Sequence, residues 1–187
     1  CITINASNIV LDCAGFTISY NEAGASNNYG IYDSSFQNVS INDCKIYDVN
    51  SSGGSGYGMY FLNSVINVTI TNSIIETNGT TTNLGIYVTS SSKNIIISNN
   101  TIRTRGTTTY NYGIDMLGVN NFTISNNIIS TTGTSSNEGI TLGGTDYNGT
   151  ISDNTIKTNG TDSNYGINFG AATVVGNVAV NNTINTW

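Results

Sequence analysis

Three periodic features of the sequence predict an all-β solenoid: a single-stranded right-handed parallel β-helix of about seven turns of ~27 residues. The first is the triplet Xaa-Gly-Ile (once Gly-Met). It recurs as Tyr29-Gly30-Ile31, Tyr57-Gly58-Met59, Leu84-Gly85-Ile86, Tyr112-Gly113-Ile114, Glu138-Gly139-Ile140 and Tyr165-Gly166-Ile167. Its glycines lie 28, 27, 28, 26 and 27 residues apart. The second is a column of Asp43, Asn72, Asn99, Asn126 and Asp153 at intervals of 29, 27, 27 and 27. The third is a pair of isoleucine columns in the same register, Ile41, Ile70, Ile97, Ile124 and Ile151 before each corner residue and Ile46, Ile75, Ile102, Ile129 and Ile156 after it. A fixed period of this length marks a chain whose turns bury their apolar faces only by stacking.

Each repeat opens with the glycine and a short strand. A turn leads to a second strand such as Asn67-Val68-Thr69-Ile70, which ends at the Asn or Asp corner. A third strand such as Thr101-Ile102-Arg103-Thr104 follows, and a loop rich in Gly, Thr and Asn closes the turn. In Asn121-Phe122-Thr123-Ile124-Ser125 apolar and polar residues alternate, the period of a strand with one buried face. Apolar residues never recur at helical spacing for more than a turn, and Thr, Ser, Asn, Ile and Gly disfavour helix. With no helix for a crossover, each strand pairs with its equivalent in the next turn. Parallel crossovers are right-handed almost without exception, and so is the predicted coil.

The corner residues suit left-handed backbone, which Asn, Asp and Gly reach at little cost. Stacked about 4.8 Å apart, the amides of Asn72, Asn99 and Asn126 are expected to hydrogen-bond along the axis as an asparagine ladder. The threonine column Thr77, Thr104, Thr131, Thr158 and Thr186 is expected to do the same.

These units carry a family resemblance. The opening Cys1-Ile2-Thr3-Ile4-Asn5-Ala6-Ser7-Asn8-Ile9-Val10-Leu11-Asp12-Cys13-Ala14-Gly15-Phe16-Thr17-Ile18 resembles the first coil of right-handed parallel β-helix proteins of the pectin-lyase-like superfamily. Ser98-Asn99-Asn100-Thr101-Ile102 and Ser125-Asn126-Asn127-Ile128-Ile129 are similar to its generic repeat. The resemblance spans nearly the whole chain and implies the fold. For activity it implies little, because the matching residues are structural.

Residues 1–187 read as one domain, since a uniform period leaves no room for a linker. Charged residues are 9% of the chain, histidine and proline are absent, and the formal net charge is −6. An acidic chain with five basic residues points away from nucleic acid and from anionic membrane surfaces. No run of 18 apolar residues occurs, so no bilayer-spanning helix is expected. The chain begins abruptly in a strand, which reads as a mature or trimmed form.

Cys13 and Cys44 lie at equivalent corners of successive turns, within disulfide reach. Cys1 with Cys13 is the other pairing, and either leaves one odd thiol. Ten Asn-X-Ser/Thr sequons occur, a number close to what this Asn-, Ser- and Thr-rich composition gives by chance. Asn99 and Asn181 fall in the corner column and Asn38, Asn67, Asn121 and Asn148 at strand entries, so their expected role is structural. Asn50, Asn78 and Asn159 fall in the Gly-rich loops and are the glycosylation candidates.

Lyases of the resembling superfamily use an Arg or Lys base beside a calcium held by acidic clusters; its hydrolases use close aspartates with a histidine. Neither set is legible here, and no catalytic residue, cofactor or metal ligand is assigned. Enzymatic activity stays open, with the residues pointing away from it. Asp115 stands in an outward column, Tyr32, Tyr60, Tyr87, Asp115, Thr141 and Asn168, and no acid is expected beside it one turn away. Glu76 and Arg103 are expected to form a surface ion pair. Tyr32, Tyr60 and Tyr87 on one face, beside Tyr29, Tyr57, Tyr112 and Tyr165, form either an aromatic ladder or a sugar-facing strip.

The expected function is a non-catalytic extracellular or cell-surface structural glycoprotein. Its expected partners are covalent glycans, other surface proteins, or itself in an end-to-end filament or surface layer joined through Cys1 and the terminal strands. The alternative is a carbohydrate-binding or carbohydrate-processing module of the same fold.

Overall fold

The structure is a computed structural model that describes residues 1–23, 28–52, 54–170 and 175–187. Among these residues there is no helix, and 21 strands make three seven-stranded sheets, A, B and C. Every inter-strand pairing is parallel, each strand meeting its equivalent in the turn before and the turn after. One turn, for example, runs through Asn83–Thr89 in sheet A, Lys93–Ser98 in sheet B and Thr101–Gly106 in sheet C. The fold is the predicted parallel solenoid of about seven turns.

The core is the set of stacked columns. Ile70, Ile97, Ile124 and Ile151 from sheet B and Ile75, Ile102, Ile129 and Ile156 from sheet C are fully or almost fully buried. Sheet A contributes Ile31, Met59, Ile86, Ile114 and Ile140. The recurrent glycine is explained by close approach. A methyl on Gly58 would lie 2.6 Å from the Gly85 carbonyl oxygen, and one on Gly85 would lie 2.5 Å from that of Gly113. The same methyls would strike Ile75 and Ile102 of sheet C, so the glycine lets sheets A and C meet.

The corners are sharp for the predicted reason. Asp43, Asn72, Asn99, Asn126, Asp153 and Asn181 all have φ between 51° and 58°. A left-handed residue turns its own side chain outward, and these corner asparagines are exposed. The expected ladder at Asn72, Asn99 and Asn126 is therefore displaced by one residue. The next side chain turns inward, where buried backbone groups need partners: Asn100, Asn127 and Asn154 are buried. Asn100 Nδ2 donates to Asn127 Oδ1 (3.1 Å), Asn127 to Asn154 (3.0 Å) and Asn154 to Asn182 (2.9 Å). Each amide also donates to a sheet B carbonyl (Ile70, Ile97, Ile124) and accepts a backbone N–H from the preceding turn. Ser73 heads this column, its hydroxyl accepting Cys44 N–H, and a disulfide joins Cys44 to Cys13 with Cα atoms 4.8 Å apart. Cys1 is free and exposed.

Two more ladders occupy the other corners. Where sheet C passes to sheet A, Asn83 donates to Asn111, Asn111 to Asn137 and Asn137 to Asn164, at 2.8, 2.9 and 2.9 Å. Where sheet A passes to sheet B, Asn8, Asn38, Asn67, Asn94 and Asn121 form an exposed ladder with bonds of 2.7–2.8 Å.

The threonine column does not behave as expected. Thr77, Thr104, Thr131 and Thr158 are fully buried, and none of their hydroxyls has a hydrogen-bond partner among the described residues. The reason is reach. Neighbouring turns lie about 4.8 Å apart, whereas an O–H···O bond needs about 2.8 Å. A carboxamide carries its donor and acceptor on separate atoms and spans the gap; a single hydroxyl oxygen does not.

Candidate functional site

The outer face of sheet A carries the densest set of chemically capable side chains. Its geometry follows from the Gly-Ile step. Gly30 and Ile31 both face inward, so Tyr29 and Tyr32 both face outward, and the pattern repeats in each turn. Two outward columns thus run side by side. One is Tyr29, Tyr57, Leu84, Tyr112, Glu138 and Tyr165; the other is Tyr32, Tyr60, Tyr87, Asp115, Thr141 and Asn168.

Tyr29, Tyr32, Tyr57, Tyr60 and Tyr87 form one aromatic cluster with centroid separations of 5.0–6.2 Å. Tyr60 and Tyr87 stack closest, at 5.0 Å and 15°. All five are half-buried, so the rings turn much of their faces to one another. Burial pushes the Tyr60 hydroxyl up to about 12, helped by the neighbouring tyrosines. Tyr112 lies outside the cluster and meets Tyr110 edge-on at 6.3 Å. Tyr165 is exposed.

Beyond the tyrosines the face turns acidic. Glu138, 6% exposed, accepts hydrogen bonds from Thr141 Oγ1 on one oxygen and from Asn168 Nδ2 on the other. Asp115 is raised to about 7, first by burial and then by the charges of Glu138 and Asp146. Asp146 is fully buried and raised to about 6 by burial, against the lowering effect of backbone N–H groups at Val119, Gly118 and Gly143. Contrary to expectation, Asp115 thus has an acidic neighbour one turn away, Glu138 on the diagonal of the adjacent column. Strand alternation alone misses this pair, because it does not anticipate the double inward step. Chemically, Asp115 is a carboxyl raised to about 7, beside the Glu138 side chain that two donors hold in place.

Elsewhere the expected residues are placed as follows. Glu76 binds Arg103 (3.0 Å) as expected, and also Arg105 (2.9 Å), a surface arrangement worth under about 1 kcal/mol per pair. Asn50 accepts from Ser52 N–H and hydroxyl and donates to Glu22 O, so its amide is engaged. Asn78 and Asn159 lie at the ends of strands Ile74–Gly79 and Thr155–Asn159 rather than in loops; Asn78 is half-buried and Asn159 exposed. Asn99 and Asn181 are exposed corner residues outside the amide ladder. The expected ranking of Asn78 over Asn99 therefore loses its basis.

The sequence matches the family profile described as "Right handed beta helix region" over residues 7–186. The chain belongs to that family. No curated protein and no solved structure matches it.

Proposed function

We propose that the chain is the rigid β-helical part of an extracellular or cell-surface structural glycoprotein. The observation that carries this reading is where its outer side chains are engaged. Five tyrosines, the exposed asparagine ladder and the Glu76–Arg103–Arg105 group all bind across turns, holding the solenoid together along its axis. Further turns, from this chain or a second copy, would add along that axis, and its partners are read as copies of itself or other surface proteins. The Cys13–Cys44 disulfide fits an oxidising compartment. Asn159, exposed at the end of its strand, is the proposed glycan carrier.

A second reading has one observation in its favour. The aromatic face runs directly into Asp115 and Glu138, an arrangement able to hold and protonate a sugar. Tyr60→Ala separates the two readings. If the face is cohesive, the variant loses about 1–3 kcal/mol of stability, as a half-buried aromatic truncation should. The wild type then retains no polysaccharide in affinity electrophoresis. Retention by the wild type that Tyr60→Ala abolishes without unfolding would reject the structural reading in favour of the second. Glycopeptide mass spectrometry of native material tests the surface assignment, and unmodified sequons throughout would count against it.

A further inference from the structure

The ladder between sheets C and A has an open head. Asn83 donates to Asn111, but its own Oδ1 is buried and accepts nothing among the described residues. The position before Asn83 in this column is Gly56, which has no side chain to continue the ladder. Asp48 reaches into that place from sheet C, where it stands one turn before Thr77. A methyl on Gly56 would lie 2.5 Å from Asp48 Oδ2, 3.4 Å from Asn83 Oδ1 and 3.7 Å from the Asn78 carbonyl oxygen. Asp48 Oδ1 is well satisfied, accepting Asn21 Nδ2 (2.9 Å) and Asn50 N–H (3.2 Å). Its Oδ2 is buried without a hydrogen bond. Two acceptor oxygens therefore converge on one buried space and neither accepts a hydrogen bond among the described residues, although Asn78 N–H and the Tyr20 hydroxyl, itself buried and unpartnered, face Asp48.

We infer that Asp48 is held as the carboxylic acid, its O–H supplying the donor that closes the ladder at Asn83 Oδ1. A carboxylic acid has the shape of a carboxamide, so protonated Asp48 serves as the missing rung. The electrostatics agree. Burial raises Asp48 above the ordinary carboxylate range, against the lowering effect of Asn50 N–H, the Asn21 amide, Asn78 N–H and the Tyr20 hydroxyl. Tyr20, buried one turn earlier, is the titratable group that faces it. Lys45, Tyr47, Glu76, Tyr57, Tyr60 and Tyr87 on the surrounding strands point outward. Among the described residues no cation faces Asp48 to favour its charged form.

The sign follows from linkage. A carboxyl raised in the folded state gives its full stability below the unfolded value of about 3.9, and loses it as pH rises through the folded value. Proton binding at Asp48 thus tightens the second and third turns in acid and loosens them in base. Asp33, Asp115 and Asp146 are raised as well and act in the same direction, so the test must isolate Asp48.

Asp48→Asn does so, because its amide is a donor at every pH. In thermal unfolding of the full chain, the variant should match the wild type near pH 4, about the unfolded aspartate value. It should melt several degrees higher in mild alkali. A variant that melts lower in alkali, or by a pH-independent margin, overturns the proposal. So does a rise in wild-type melting temperature with added sodium or calcium that the variant lacks, which would assign the space to a cation. Should the variant fail to fold, the wild-type Asp48 Cγ chemical shift decides. Titration above the free-aspartate range supports the proposal, and titration at or below it sinks it.

Discussion

Thr104 shows how strictly single positions are set. Its side chain is fully buried and its hydroxyl has no partner among the described residues, as at Thr77, Thr131 and Thr158. A buried polar atom without a partner costs about 1–3 kcal/mol. Thr104→Val keeps the shape and removes that cost. It should raise stability by about 1 kcal/mol in chemical denaturation, and a loss instead would mean that an unseen partner satisfies the hydroxyl. The recurrent glycines are the opposite case: Gly85 meets the Gly113 carbonyl so closely that no side chain fits. Steric rules of this kind are legible in sequence, since a position that accepts one residue type repeats it. The buried isoleucine columns were readable for the same reason.

At the scale of strands and corners, what the sequence concealed was direction. Asn99-Asn100, Asn126-Asn127 and Asn181-Asn182 each place two amides at a corner, and composition does not tell which one faces in. The left-handed φ of the first residue decides, sending the second inward. The Asp115–Glu138 pair was hidden similarly, because it depends on two consecutive inward residues that break strand alternation. The ladders should then differ in energy. Asn127→Ala strips partners from Asn100 N–H, the Asn100 amide and Ile97 O, and should cost about 3 kcal/mol or more. Asn94→Gly in the exposed ladder keeps the left-handed backbone and should cost about 1 kcal/mol or less, because water replaces the amide. Equal losses for the two in urea unfolding would contradict the distinction.

Over the whole molecule, each turn touches only its neighbours, so stability is a sum along one dimension. The Cys13–Cys44 bridge closes a 31-residue separation and ties the first turn to the second. The chain-entropy model gives such a loop about 3–4 kcal/mol. Reduction should consequently speed amide exchange in Ile9–Asp12 and Thr17–Tyr20 and leave Lys93–Ser98 and Asn120–Ser125 protected. Uniform loss of protection would show that the rod unfolds as one unit.

The ladders also have polarity. From Asn83 to Asn164, and from Asn100 to Asn182, every amide donates toward the later turn, whereas the exposed ladder donates toward the earlier one. A one-way chain of donors needs unlike terminators. The two inward ladders begin at Asp48 with Gly56 and at Ser73 with Cys44; farther along, Asn164 donates to the Trp187 carbonyl, and Asn182 repeats the sheet B carbonyl bond of the earlier rungs, to Ile151. The turns are thus alike but not interchangeable. A longer rod can be made by copying an inner turn in place, whereas transplanting that turn to the front would leave an acceptor with no donor.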